Sequence, residues 1–358
     1  VPGLIDVHVH GVEGVDALGG EGHVAAIAAR LPRHGVTAFC PTTVACPPGP
    51  LDRLLAEVET LRAGPPVPGA ARVLPAHLES NFIAPAFRGA QPGTCLRTAA
   101  GCFDGTGALR APRGAASPGA PAFEAIDILR LVERHQPAVA IVTLAPELDG
   151  GLDLIGWLTA RGHRVGLGHS GALFDEARAA IAAGAHHATH LFNRMPPLGH
   201  REPGLAGAVL ADEAVAAEII CDGVHVHPAM IRLALAAKGA SRVMAVSDGT
   251  AASGLPVGGR ATLGDQAITV ARGAARLGDG TLAGSAVTLD RVFRTLVQDA
   301  GLTPVQAARL CATTPARELG LSGQGAVVPG GLADLAVLDR WLAVRATYVG
   351  GCLAWQRP

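Results

Sequence analysis

Short runs of β-branched and aliphatic residues alternate along this chain with longer Ala/Leu/Arg-rich segments whose apolar positions recur at helical spacing. LIDVHVH gives way to HVAAIAARLPRHG, VTAFCPTTV to PLDRLLAEVETLRA, and ARVLPAHLE follows. The alternation continues through AFEAIDILRLVERHQ, VAIVTLAPE, GLDLIGWLTARG, RVGLGHS, LFDEARAAIAAGA, HATHLFN, AAEIICDG, PAMIRLALAAKG and RVMAVSDG. Near eight strands, each followed by a helix or a long loop, predict an α/β fold, a parallel (β/α)8 barrel of the TIM type.

After Asp248 the pattern changes. ATLGDQAITVARGAARLGDGTLAGS alternates at strand period around Gly-Asp-Gly turn chemistry, which predicts a β-hairpin elaboration near 257–283. Two helical segments, TLDRVFRTLVQDAG and TPVQAARLCATTPARELG, complete a barrel domain over 1–318. The remainder, 319–358, returns to short β runs and reads as the C-terminal part of a small β-sandwich. The sandwich strands that should pair with it are expected ahead of Val1, because the chain opens on Val1-Pro2-Gly3 without an initiator Met.

A barrel of this kind carries its chemistry where the strands end and the βα-loops begin. His8 and His10, Glu79, Glu147, His169, His190, Asp222 with His225, and Asp248 each stand at the end of an apolar run. In Asp6-Val7-His8-Val9-His10 the period-two alternation of a strand turns both imidazoles to one side, where they can share a metal ion. Glu79, His169 and His190, from three separate strands, make a three-ligand catalytic set that leaves a position for water. Asp248, at the end of the last barrel strand, is the candidate acid/base, its alternative role being a helix N-cap before Gly249-Thr250.

Composition narrows the partners. With 358 residues, 49% of them hydrophobic, and a formal net charge of -1, the chain has no basic excess to bind nucleic acid or an anionic membrane surface. Mean hydropathy is +0.32, yet Gly, Pro, His or a charge cuts every apolar stretch well before the roughly 18 residues of a membrane span. A small-molecule substrate is expected. Seven cysteines without a C-x-x-C pair or framework spacing suit a reducing compartment, the cytoplasm by default, and Cys40, Cys221 and Cys311 read as buried, inert thiols.

VPGLIDVHVHG, HLES, GHSGALFDEARAAIAAGAHHATHLFN, HREPG, CDGVHVHP, SDGTAASGLP and DGTLAGS stand in the order shown by N-acetylglucosamine-6-phosphate deacetylases, and the chain resembles that family over essentially its whole length. The resemblance implies an amidohydrolase barrel with a small β-sandwich, a homodimer in many members, and hydrolysis of the 2-acetamido group of a sugar phosphate. It implies that Glu79, His169 and His190 bind the catalytic divalent metal, zinc or iron, and that Asp248 is the acid/base. Retention of His8 and His10 implies a second ion, hence one or two per chain. Lys238 is the sole lysine and lies in a helical segment, so the carboxylated lysine of dihydroorotase-like and urease-like relatives has no counterpart; Glu79 is the candidate bridge.

On the substrate side, Arg201 in GHREPG, with Asn193, occupies the family's phosphate-binding stretch, the alternative for Arg201 being a surface pair with Glu202. His225 resembles the family histidine that contacts substrate, and His227 a structural residue ahead of Pro228. Ser80-Asn81 replace the common Gly-Pro after the metal glutamate, and Gln91 replaces a histidine, with an amide suited to a carbonyl or a sugar hydroxyl. These departures are expected at the rim of the pocket. Arg194, where the family has a small residue, adds a second cation near the phosphate or at a dimer interface. Three readings follow: deacetylation of N-acetylglucosamine 6-phosphate; deacetylation of the galactosamine epimer or another N-acyl compound; and a non-catalytic metal-binding barrel.

Overall fold

A computed structural model describes residues 1–111 and 122–358. Eight parallel strands follow one another in chain order: β1 (Leu4–Val9), β2 (Val36–Thr43), β3 (Ala76–Glu79), β4 (Val139–Leu144), β5 (Arg164–Leu167), β6 (His187–Ala188), β7 (Ala216–Ile220) and β8 (Val243–Val246). A parallel bridge from Val9 to Gly249, with the His10 and Gly11 N–H groups donating to the Gly249 carbonyl at 2.7 and 3.0 Å, closes the sheet into a barrel. The connections carry α1 (His23–Arg30), α2 (Pro48–Ala63), α3 (Ala125–Arg134), α4 (Gly151–Ala160), α5 (Phe174–Ala182), α6 (Gly204–Ala211) and α7 (Pro228–Lys238), and α8 (Leu289–Gln298) follows the last strand's long excursion.

Two apolar layers result from strand alternation. Outward side chains such as Leu4, Phe39, Leu78, Val142 and Ile219 meet helix residues such as Ile27, Leu55, Leu129 and Leu158 in the main core. Inward ones, Ile5, Val7, Ala38, Cys40, Ile141, Met244 and Val246, form a separate cluster closed at one end by Ala316. Helix α8 shows why its sequence is helical. Leu289, Val292, Phe293 and Leu296 recur at i, i+3, i+4 and i+7 and are all buried. At α7, Pro228 opens the first turn and His227 Nδ1 accepts the Ala229 N–H, so His227 is a capping residue.

The excursion after β8 is larger than one hairpin. Strands β9 (Arg260–Leu263), β10 (Gln266–Ala271), β11 (Ala274–Arg276) and β12 (Leu282–Ser285) form a four-stranded antiparallel sheet that roofs the C-terminal end of the barrel. The Gly264 N–H donates to Asp16 Oδ2 at 2.9 Å, and the Gln266 amide donates to the Ala90 carbonyl, so the roof is tied to the loops after β1 and β3. A separate three-stranded antiparallel sheet, β13 (Leu335–Leu338), β14 (Val344–Val349) and β15 (Cys352–Gln356), ends the chain, and Pro2 bridges to Leu335 at its edge.

The C-terminal segment is pinned to the barrel by Glu318. Its carboxylate meets Arg317 at 2.6 Å, Arg242 at 3.2 Å and His187 at 3.7 Å. Burial pushes this carboxyl up, but His187 and Arg317 outweigh burial and hold it down at about 2. A carboxylate depressed in the fold stabilises it above its unfolded pKa and loses that contribution as pH falls toward the folded value. Glu318→Gln is therefore expected to flatten the acid limb of the stability curve between about pH 5 and pH 2. Urea melts at stepped pH check this, and an unchanged acid limb would refute it.

Candidate active site and metal centre

The strand ends converge on one point. Glu79 ends β3, while His169 and His190 follow β5 and β6 by two residues, and all three are buried. Glu79 Oε1 lies 2.9 Å from His169 Nε2 and 2.8 Å from His190 Nε2, and the two imidazole nitrogens are 3.1 Å apart. His169 Nδ1 donates to the Phe87 carbonyl at 2.8 Å. Its Nε2 is thereby the ring atom that faces the carboxylate and His190. Electron-rich atoms gathered in this way around one point are the donor set of a cation.

A second group adjoins it. His8 and His10 place their Nε2 atoms 3.3 Å apart, and Asp248 Oδ1 lies 3.3 Å from the first and 3.2 Å from the second. Glu79 stands between the groups, 3.7 Å from His8 and 3.6 Å from His10, where a bridging carboxylate belongs. Among the described residues, Glu79/His169/His190 and His8/His10/Asp248 each bring three ligand atoms close enough to share an ion.

The electrostatics favour positive charge at these points. Burial would raise Glu79, but the His169 charge and hydrogen bonds from His169 and His190 hold it well below the usual carboxylate range. Asp248 behaves alike. Burial raises it and His8 and His10 bring it below its ordinary value. Burial lowers His190, yet the Glu79 carboxylate lifts it to about 9; His8, where burial prevails, falls to about 4 and is neutral. The donor chemistry fits one or two divalent ions.

Three of these residues sit in strained backbone. His169 (φ 48°), His190 (φ 34°) and Asp248 (φ 47°) adopt left-handed conformations, as do the neighbouring Phe192 (φ 77°) and Arg194 (φ 52°). Non-glycine residues are held there only where the surroundings over-determine them, and each turns its side chain from the barrel wall toward the centre. Gly284 covers Asp248 from the roof: at φ +62°, a Cβ would lie 2.8 Å from the Asp248 carbonyl oxygen and 2.6 Å from Thr250.

The cleft above the ligands has a volume of about 410 Å³ and is lined by Phe87, Asn193, Arg194, Met195, His225 and the roof residues Leu263 and Leu282. A larger hollow, about 640 Å³, lies at the opposite barrel end near Leu74, Val139 and Leu319, and among the described residues no His, Cys, Asp or Glu lines it. His225 Nδ1 bonds Asp222 Oδ2 at 2.7 Å, which leaves Nε2 as its ring atom for the cleft. Gln91 also lines the cleft, but its amide is engaged: Nε2 donates to Glu79 Oε2 and Oε1 accepts from the Ala45 N–H at 2.7 Å. It braces Glu79.

Other expectations are corrected by position. Ser80 and Asn81 do not reach the rim. Ser80 donates to the Thr143 carbonyl and Asn81 to the carbonyls of Cys46 and Cys95, so both are buried in loop scaffolding. Arg201 is exposed and outside the cleft lining, and Glu202 bonds the N–H groups of Phe174 and Gly204 instead of pairing with it. Glu147, one of the strand-end carboxylates, accepts from Ser170 Oγ and the Gly171 N–H and so steadies the loop that carries His169. Asp248 turns to the histidines rather than capping a helix. Lys238 is on α7 with its ammonium on the carbonyls of Val209 and Asp212, remote from the ligands. Sequence reasoning missed Glu218, within β7, whose carboxylate meets His8 Nδ1 at 2.9 Å.

The amidohydrolase family model matches residues 1–352. The chain belongs to the amidohydrolase family. This amidohydrolase is 37% identical to the N-acetylglucosamine-6-phosphate deacetylase of Danio rerio, with 99% of its own chain and 84% of the relative aligned. It is 34% identical to the N-acetylgalactosamine-6-phosphate deacetylase of Escherichia coli O157:H7, over 99% of this chain and 87% of that one. A mutant N-acetyl-D-glucosamine-6-phosphate deacetylase from Mycobacterium smegmatis, solved in complex with N-acetyl-D-glucosamine-6-phosphate, superimposes with a TM-score of 0.85 at 34% identity, covering 99% of this chain and 86% of that one.

Proposed function

We propose that this amidohydrolase removes the acetyl group of N-acetylglucosamine 6-phosphate, giving glucosamine 6-phosphate and acetate. The observation that carries the reading is the Glu79/His169/His190 set facing Asp248 across one cleft, in a chain similar along its length to deacetylases of that substrate. Glu79, His169 and His190 would hold a divalent ion, zinc or iron, and His8, His10 and Asp248 a second. When bound, the ion supplies Lewis acidity toward the amide carbonyl and the attacking water. Asp248 takes the proton of that water and returns it to the departing amine nitrogen. Its position beside His8 and His10, and its depressed pKa, keep it ionised and ready to accept. His225, oriented by Asp222, offers a donor to the carbonyl or a sugar hydroxyl, and Asn193 lines the same wall.

Arg194 supplies the cation for the phosphate from within the chain, since it lines the cleft and no carboxylate pairs with it among the described residues. Arg201, exposed and outside the cleft lining, would reach a ligand only if a second copy of the chain presented it, as in a homodimer. Arg194→Ala is expected to raise KM for the phosphorylated sugar about 10- to 100-fold, the usual effect of losing a charge-assisted hydrogen bond, and to leave the unphosphorylated sugar unaffected. Equal KM changes for both sugars would remove Arg194 from phosphate binding. A KM effect of Arg201→Ala that disappears on dilution to monomer reports the shared site.

The test of the reaction is acetate release by metal-loaded protein from N-acetylglucosamine 6-phosphate, its galactosamine epimer and unphosphorylated N-acetylglucosamine, side by side. The similarity to the Escherichia coli enzyme favours the epimer as the second reading, and a higher kcat/KM for it would reverse the assignment. No turnover on any of them would leave a metal-binding barrel. Six of the seven cysteines are buried, in keeping with a reducing, cytoplasmic setting. No helix among the described residues is long and apolar enough to cross a membrane.

A further inference from the structure

Glu218 is a fully buried carboxylate in the middle of β7, two residues from both Ala216 and Ile220, and it shares their inward face. It lies beneath the ligands in a polar layer with His8, His77, Thr143 and Thr189. His77 is already satisfied, with Nδ1 on the Val7 carbonyl at 3.0 Å and Nε2 on Thr143 Oγ1 at 2.8 Å, so the 4.0 Å approach of Nδ1 to Glu218 Oε1 is no hydrogen bond. Among the described residues Glu218 Oε1 has no hydrogen-bond partner, and Oε2 has one, His8 Nδ1 at 2.9 Å. A barrel interior gains nothing in stability from a buried carboxylate with an orphaned oxygen. Its purpose lies in the contact it does make.

A carboxylate only accepts, so the proton of that contact is on His8 Nδ1, and His8 Nε2 carries a lone pair. That lone pair points at Asp248 Oδ1 and His10 Nε2, each 3.3 Å away. The other ligand histidines are held differently. His169 is oriented by a neutral carbonyl, whereas Nδ1 of His10 and Nδ1 of His190 have no hydrogen-bond partner among the described residues. Only His8 combines a fixed tautomer with an added negative charge.

We propose that Glu218 is the positioning residue that commits His8 to metal ligation and thereby governs whether an ion fills the His8/His10/Asp248 position, the Glu79/His169/His190 position being independent of it. This rests on the reading above in which both positions take a divalent ion. The carboxylate acts twice. It selects the Nδ1–H tautomer, and it adds a charge that offsets part of the second cation's in a site already facing the first.

Two variants separate these effects. Glu218→Gln keeps the shape and an oxygen that can accept from Nδ1 but removes the charge; Glu218→Leu removes both. The whole protein is stripped with chelator and titrated with Zn²⁺ alone, with elemental analysis of the loaded forms, and histidine tautomers are read from ¹⁵N-histidine spectra of the metal-free forms. The wild type is expected to take two ions. Glu218→Gln should bind the first with unchanged affinity and the second about 10- to 100-fold more weakly. Glu218→Leu should lose the second and, in the spectra, the His8 Nδ1–H resonance. If Glu218→Leu does not fold, Glu218→Gln carries the test.

Wild-type affinities for both ions in Glu218→Gln would overturn the proposal, and so would equal weakening of both, which marks a merely structural residue. A wild type that takes one ion, with stoichiometry unchanged in His8→Asn, would overturn the two-ion reading as well. In that case acetate release by the one-ion protein still stands as a separate result.

Discussion

Asp248→Asn is expected to lower kcat for acetate release by about 10²- to 10⁴-fold, the usual contribution of a positioned general acid/base. Asparagine keeps the shape and an oxygen toward His8 and His10 but accepts no proton from water at neutral pH. The ion at Glu79, His169 and His190 should remain, because Asp248 is not in that group. Loss of rate with metal content preserved at that position is what a proton carrier predicts. A variant that keeps its rate, or loses rate only in step with that ion, would assign Asp248 to ligation alone.

Glu79→Gln should be the most damaging change in the molecule. Glu79 accepts from His169, His190 and Gln91, and it stands between the two ligand groups, so its charge is the one element common to both. A neutral amide offers an NH2 face to at least one of these partners and leaves a buried donor unpaired. Turnover is expected to fall to the no-enzyme background, and elemental analysis should find both positions depleted. Turnover restored by excess metal would show that affinity alone had been lost. Persistence of full metal content would displace Glu79 from the centre of the site.

The residues at strand ends were legible because a strand exposes its period of two in sequence and a barrel fixes which end carries the polar residues. Thus Glu79, His169, His190 and Asp248 stand out as polar stops to apolar runs, and the structure draws them together. Glu218 was not legible, because a single carboxylate inside AAEIICDG carries no sign of which face it occupies until neighbouring strands set the register. The arginines show the same limit. Arg194 and Arg201 are seven positions apart on one connection and both exposed, and only the path of the backbone, left-handed at Arg194, decides which of the two lines the cleft. Gln91, Ser80 and Asn81 were placed at the rim through the family resemblance, whereas their amide and hydroxyl groups go to backbone and carboxylate partners in the loops. The roof, suggested as one hairpin, has four strands because two further turns, at Gly273 and around Gly280, each return the chain to pair once more.

The left-handed turns at His169, His190 and Asp248 set fold durability against turnover. Glycine would occupy each of those backbone conformations without a Cβ penalty, and a barrel free of chemical duties would drift toward it. Two imidazoles and a carboxylate stand at all three bends instead, so the backbone carries that cost for three side chains aimed at one point, which weighs against an inert barrel.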